Sequence, residues 1–166
     1  MVVGRHRRAP VSPLAAQPVN GDPESSASGG PPAVFDPVRK RLVPATPEER
    51  VRQAVIRYLL DAIKAPANLI AVEFSLSALE PGNFRRADIV VWRPGKGLLV
   101  PWLLVECKEP RVRIDDEVAY QAAGYLGRIP CRFVMLSNGK DTRYLERRGD
   151  RYELVTGLPF FSEERA

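Results

Sequence analysis

Two acids and an amine stand where charge is costly. Glu106 and Lys108 flank Cys107 directly after the apolar run Leu103-Leu104-Val105, and Asp88 immediately precedes a second run, Ile89-Val90-Val91. Strand periodicity sends alternate side chains to one face, so Glu106 and Lys108 point one way and Cys107 the other. Apolar runs of this kind belong to strands covered on both faces, and a charge abutting them needs compensation. If the two strands pair as a hairpin, both carboxylates and the ammonium meet at one end of a sheet, where a cation would supply that compensation. The carboxylates of Asp88 and Glu106 with the main-chain carbonyl of Cys107 make a hard oxygen set. Such a set suits Mg²⁺, with Mn²⁺ as an alternative, and leaves coordination positions for water and a substrate phosphate. Phosphodiester hydrolysis is the chemistry it would serve. Lys108 would then be a general base or a fixed positive charge; a metal lowers its pKa and two carboxylates raise it. Charge stabilisation, with water as the nucleophile, is the preferred reading. The competing one makes Glu106 and Lys108 a strand-end ion pair and Asp88 a turn acid.

The elements that must position these groups are legible in outline. Thr46-Pro47-Glu48-Glu49 reads as a helix start, with Thr46 as cap, Pro47 in the first turn and Glu49 closing a capping box. The helix is expected to run to about Ala65, bury Val51, Val55, Tyr58, Leu59, Ala62 and Ile63, and stop at Pro66. Strands are expected at Leu69 to Phe74, Ala87 to Trp92 and Pro101 to Lys108, with a turn at Pro94-Gly95-Lys96-Gly97. A second helix spans Asp116 to about Leu126 and ends near Gly127; a strand covers Arg132 to Leu136; Thr142 to Glu146 and Tyr152 to Val155 form a hairpin. This order predicts an α/β fold, a mixed central sheet flanked by helices. Residues 1–40 read as a disordered tail rich in Pro, Gly and Ser, 41–160 as a single domain, and 161–166 as a C-terminal tail.

Composition narrows the classes. The 166 residues, 45% of them hydrophobic, suffice for one core, and a net charge of +5 tilts toward polyanionic partners. Cys107 and Cys131 are too few for a disulfide framework or a cysteine zinc site, which favours a reducing, cytoplasmic setting. No apolar run is long enough to span a bilayer, so no membrane partner is expected. Arg5, Arg7 and Arg8 fit either a transit peptide or a solvated tail, and the tail is preferred. His6 is the only histidine and lies in that tail, which excludes His-dependent triads and His-ligated zinc hydrolases. Gly-x-Ser-x-Gly and Gly-x-Gly-x-x-Gly motifs are absent. Trp92 and Trp102 read as core or sheet cover, and Arg85, Arg86, Arg111 and Arg113, which flank the expected site, either as contacts to DNA phosphates or as a solvated basic rim.

Several segments in order carry a resemblance: Thr46 to Gln53, Arg86-Ala87-Asp88-Ile89-Val90-Val91, Leu104-Val105-Glu106-Cys107-Lys108-Glu109-Pro110, Gln121-Ala122-Ala123-Gly124-Tyr125 and Ser137-Asn138-Gly139. Together they resemble the amino-terminal nuclease domain of type I restriction enzyme R subunits, in its small stand-alone form, within the PD-(D/E)XK nuclease superfamily. The resemblance implies a restriction-endonuclease-like core, Asp88 and Glu106 as metal-binding acids, Lys108 as catalytic lysine and Gln121 and Tyr125 as the Gln-x-x-x-Tyr motif beside the site. Glu49 is similar to a first-helix acid that approaches the metal in related nucleases. Ala87 stands where the superfamily's proline would be, a position without a ligand role. No Gly-x-x-x-x-Gly-Lys-Ser/Thr loop occurs, so the resemblance implies a nuclease part without the motor.

These readings predict a Mg²⁺-dependent endonuclease-like phosphodiesterase acting on DNA, in company with separate motor or methyltransferase subunits and compatible with a homodimer. A noncatalytic nucleic-acid-binding or assembly module of the same fold, and an RNA-directed nuclease, are the alternatives.

Overall fold

A computed structural model of the chain describes residues 32–126 and 128–161. The arginines at positions 5, 7 and 8, His6 and Gly127 therefore lie outside the described residues. Ordered chain begins earlier than the sequence suggests. Ala33–Asp36 (β1) pairs antiparallel with Arg41–Pro44 (β2), so at least residues 33–40 belong to the fold and not to a tail. This hairpin carries no strong apolar alternation; what holds its turn is the buried carboxylate of Asp36, which accepts the amides of Val38 and Arg39 at 2.8 and 2.7 Å.

Helix α1 spans Pro47–Asp61. The Thr46 hydroxyl accepts the Glu49 amide at 3.1 Å, the first half of the expected capping box. The second half does not form: the Thr46 amide donates to Pro44, and the Glu49 carboxylate turns elsewhere. The helix stops short of Ala65, because Lys64 adopts a left-handed φ of 63° and the Ala65 amide closes back on Leu59 at 2.9 Å. The chain has therefore turned before Pro66 is reached.

Six strands form the main sheet: Ile70–Ser75 (β3), Arg86–Pro94 (β4), Leu99–Cys107 (β5), Phe133–Ser137 (β6), Thr142–Arg148 (β7) and Arg151–Val155 (β8), in the order β3-β4-β5-β6-β7-β8. Every neighbouring pair is antiparallel except β5 and β6, which are parallel. A parallel pair needs a crossover, and Asp116–Leu126 (α2) lies within it.

The two faces of the sheet are both covered. Ile89, Val91, Leu103, Val105, Cys107, Phe133 and Met135 pack with Val51, Val55, Ile56 and Leu59 of α1 and with Ile63 just beyond it. Val90, Leu104, Val134, Leu136 and Leu145 pack with Ala119, Ala122, Ala123 and Leu126 of α2. Central strands covered on both faces explain the continuous apolar runs in β4, β5 and β6. Trp102 lies in the core, edge-on to Phe133 and Phe161 with centroids 5.3 Å away in each case. Phe161 also donates its amide to Ile63 at 2.9 Å, so it belongs to the domain and not to a terminal tail. No helix among the described residues is long and apolar enough to cross a membrane.

Leu104 is fully buried at the centre of the α2 face, whereas Leu98 in the β4–β5 turn is exposed. Leu104→Ala should lower the unfolding free energy by about 2–5 kcal/mol. Leu98→Ala should change it by less than about 0.5 kcal/mol, both read by chemical denaturation.

Candidate functional site

Strands β4 and β5 stop pairing at Ile89 and Val105 and then part: β4 continues beside β3 as far as Arg86, and β5 beside β6 as far as Cys107. Asp88 and Glu106 sit at this parting, one residue past the last pair. The Asp88 carboxylate fills the break, accepting the Cys107 amide on Oδ2 at 2.7 Å where a ladder bond would otherwise be. Its Oδ1 accepts from Arg52 Nη2 of α1 at 2.6 Å. Lys108 Nζ donates to Glu106 Oε1 at 2.8 Å, as the two-residue spacing requires of side chains on one face. The end of β5 is tied down by the Lys108 amide, which donates to the Ser137 carbonyl at 2.8 Å.

The first-helix acid that joins this group is Glu48, not Glu49. Glu48 lies 3.3 Å from Arg52 Nη2. Burial, and next the Asp88 charge, push its carboxyl above the usual range, with Glu106 adding to the rise and Arg52 and Lys108 opposing it. Glu49 has both oxygens engaged on the other side: Arg39 and Gln53 donate to Oε1, and Arg52 to Oε2. The two acids are adjacent in sequence and differ by one step of about 100° around the helix, which no motif match resolves.

Lys108 carries its charge firmly. Burial alone would lower its pKa, but the Glu106 bond and charge, followed by the charges of Asp88 and Glu48, raise it above the ordinary lysine value. Arg52 is buried yet held fully charged, chiefly by Asp88 and then Glu49 against the cost of burial. Three carboxylates thus repel one another across a gap that two cationic side chains only partly neutralise. Among the described residues no three His, Cys, Asp or Glu groups close into a metal cage. Asp88 and Glu106 are the two carboxylates at the parting of the strands, and a hard divalent ion that keeps water and phosphate ligands needs no more than one or two.

The remaining expected site residues are less convergent. Cys107 buries its side chain in the α1-side core, so only its main chain faces the parting of the strands. Gln121 is exposed on α2 and bonds Glu117 one turn away at 3.4 Å; no hydrogen bond joins it to Asp88, Glu106 or Lys108. Tyr125 belongs to α2, with its side chain outside the described residues. Arg85, just before β4, and Arg86, its first residue, are exposed three and two residues before Asp88. Arg111 and Arg113 are exposed on the loop after β5, beside Glu109 at 2.7 Å and Asp115 at 3.7 Å. Sequence reasoning missed Arg52, whose place beside Asp88 shows only when α1 packs on the sheet. It also missed Phe84, 92% exposed next to Arg85 on a loop where the Asn83 side chain accepts the Arg85 amide at 3.1 Å.

Behind Glu49 the network continues to Asp36, which also receives Gln53 Nε2 at 2.9 Å and Arg39 Nε at 2.6 Å. Burial raises the Asp36 pKa, but bonds from the Arg39 amide, the Gln53 side chain and the Arg39 guanidinium outweigh it and bring the carboxyl below its ordinary 3.8. A carboxyl depressed on folding stabilises the fold above its unfolded value, and the contribution is lost as pH falls through the folded value. In urea denaturation from about pH 6 to about pH 2, wild type should therefore lose a component of stability on acidification that Asp36→Asn lacks, Asp36→Asn being the weaker protein near neutrality.

No curated protein and no solved structure matches the chain significantly. A family model does, described as type I restriction enzyme R protein N terminus (HSDR_N), over residues 47–159. That span begins at the first residue of α1 and contains Glu48, Arg52, Asp88, Glu106 and Lys108. The chain accordingly belongs to the family of type I restriction enzyme R protein N-terminal regions.

Proposed function

We propose that this chain is a metal-dependent endonuclease module of PD-(D/E)XK type acting on DNA, working together with the motor and methyltransferase functions of a restriction system. The family supports a nuclease-related role. The single observation that carries the finer reading is the gathering of Asp88, Glu106, Glu48 and Lys108 where β4 and β5 part. This is a water-facing break at the end of an otherwise apolar sheet, and it gives a phosphodiester access to charged groups held by rigid strands.

Asp88 and Glu106, with Glu48 beside Arg52, would hold Mg²⁺ or Mn²⁺ through one or two carboxylates, and the ion when bound would supply Lewis-acid polarisation of the phosphate and a more acidic water. The chain's own residues do the positioning. The Cys107 amide and Arg52 fix both oxygens of Asp88, so its carboxylate cannot rotate freely. Glu106 anchors Lys108, whose ammonium would face a substrate phosphate as a positive charge. Arg85, Arg86 and the Phe84 ring lie just ahead of Asp88 on the same strand and its approach loop, placed to meet backbone phosphates and a base face.

Purified full-length protein should nick or cut supercoiled plasmid DNA in the presence of Mg²⁺ or Mn²⁺. Lys108→Ala should slow this by about 100-fold or more while leaving the far-ultraviolet circular dichroism unchanged. Cleavage by Lys108→Ala at the wild-type rate would reject the proposed role, and DNA binding with no cleavage by the wild type would make the chain a noncatalytic module.

A further inference from the structure

Arg39 lies in the turn between β1 and β2, ahead of the residues that the family model covers. It commits three nitrogens to three carboxylates from three different elements. Nε donates to Asp36 of its own hairpin at 2.6 Å, Nη2 to Glu49 of α1, and Nη1 to Glu73 of β3 at 2.7 Å. A planar guanidinium suits such a junction, because its donors leave in fixed directions.

Two of these partners lead to Asp88. Glu49 passes the connection to Arg52, and Arg52 bonds Asp88 Oδ1. Glu73 reaches it through the sheet: Val72 pairs with Ile89 and Phe74 with Ala87, which leaves Glu73 opposite Asp88 with no ladder pair between them. Glu73 also has a left-handed φ of 53°, a conformation that a non-glycine residue in a strand keeps only when its surroundings hold it there. The bond to Arg39 is the side-chain contact that draws Glu73 toward the hairpin. The strand next to Asp88 is thus distorted at the residue facing it, and the distortion ends on the same arginine that steadies Arg52.

We propose that Arg39 is a positioning residue: the β1–β2 hairpin is an integral part of the site, and through Glu49–Arg52 on one side and Glu73 on the other it sets the placement of the Asp88 carboxylate. The geometry stands without any assumption about activity; its consequence for metal affinity rests on the nuclease reading above.

The Cys107 amide, which donates to Asp88, reports that placement with no metal present. In ¹⁵N-labelled full-length protein, Arg39→Met should shift the Cys107 amide resonance and speed its hydrogen exchange by about tenfold, with the Leu104 and Val134 amides of the sheet centre unchanged. Arg39→Lys, which keeps the charge but not the three-way fork, should give a smaller change of the same kind and carries the test if the methionine variant does not fold. In calorimetric titration with Mn²⁺, Arg39→Met should bind about tenfold more weakly than wild type. A Cys107 amide identical to wild type in both variants overturns the inference, and so does faster exchange spread equally over Cys107, Leu104 and Val134, which marks general loss of stability. Wild type that takes up no Mn²⁺ would instead overturn the metal-dependent reading, while the amide measurement still decides what Arg39 does.

Discussion

One carboxylate stands where a strand ladder ends. Asp88 accepts the Cys107 amide that β4 would otherwise have paired through its backbone, and by doing so lets β4 and β5 separate without leaving that amide unsatisfied. The separation leaves Asp88, Glu106 and Lys108 partly exposed at the end of a sheet whose middle is covered by helices on both faces. If the backbone pairing simply continued, Glu106 and Lys108 would lie along a closed edge. If the strands parted without Asp88, a polar group would be stranded beside the core at a cost of about 1–3 kcal/mol.

Holding Asp88 in that place requires a cation on its other oxygen, and the cation is itself buried. Arg52 leaves water to reach it, and a buried guanidinium is tolerated only when its donors meet negative partners. Glu49 fills that role, and Glu49 in turn needs Arg39 and Gln53. Each step moves the compensating charge one residue further from the gap, until it ends at Asp36, where turn amides finish the chain of partners. Polar residues that look like surface charges in the sequence are thereby drawn into one connected structure running from the β1–β2 turn to the candidate site. Hydrophobic residues filling such a volume often serve stability as well as buried ion pairs do; what they could not do is bond the Asp88 carboxylate in one orientation, as Arg52 does.

Much of the fold was legible because apolar periodicity reports burial directly. β4, β5 and β6 read as strands from their continuous Val, Leu and Ile runs, and α2 from its acidic opening and its alanines. Glu106 and Lys108 could be joined from their two-residue spacing alone, since strand geometry leaves them no other relation. Elements held by polar contacts were not legible. The first strand and turn of the β1–β2 hairpin lack an apolar pattern and read as tail, because the carboxylate that organises them, Asp36, is recognisable only once Arg39 and Gln53 are beside it. The end of α1 was misjudged by three or four residues, since the left-handed turn at Lys64 leaves no mark in residue type.

Read alone, the sequence marked the two helices, the strands of the main sheet and three candidate groups, Asp88, Glu106 and Lys108, from local spacing and apolar neighbours, while the family came from the resemblance of several segments in order. Only the tertiary structure decided that Glu48 and not Glu49 faces them, that Arg52 holds Asp88, and that a hairpin outside the matched span reaches the same network. The reason is physical: local periodicity says which way a side chain leaves its own element, whereas the partner of a buried charge is chosen by whichever element packs against it, and here those partners lie up to 36 residues away along the chain.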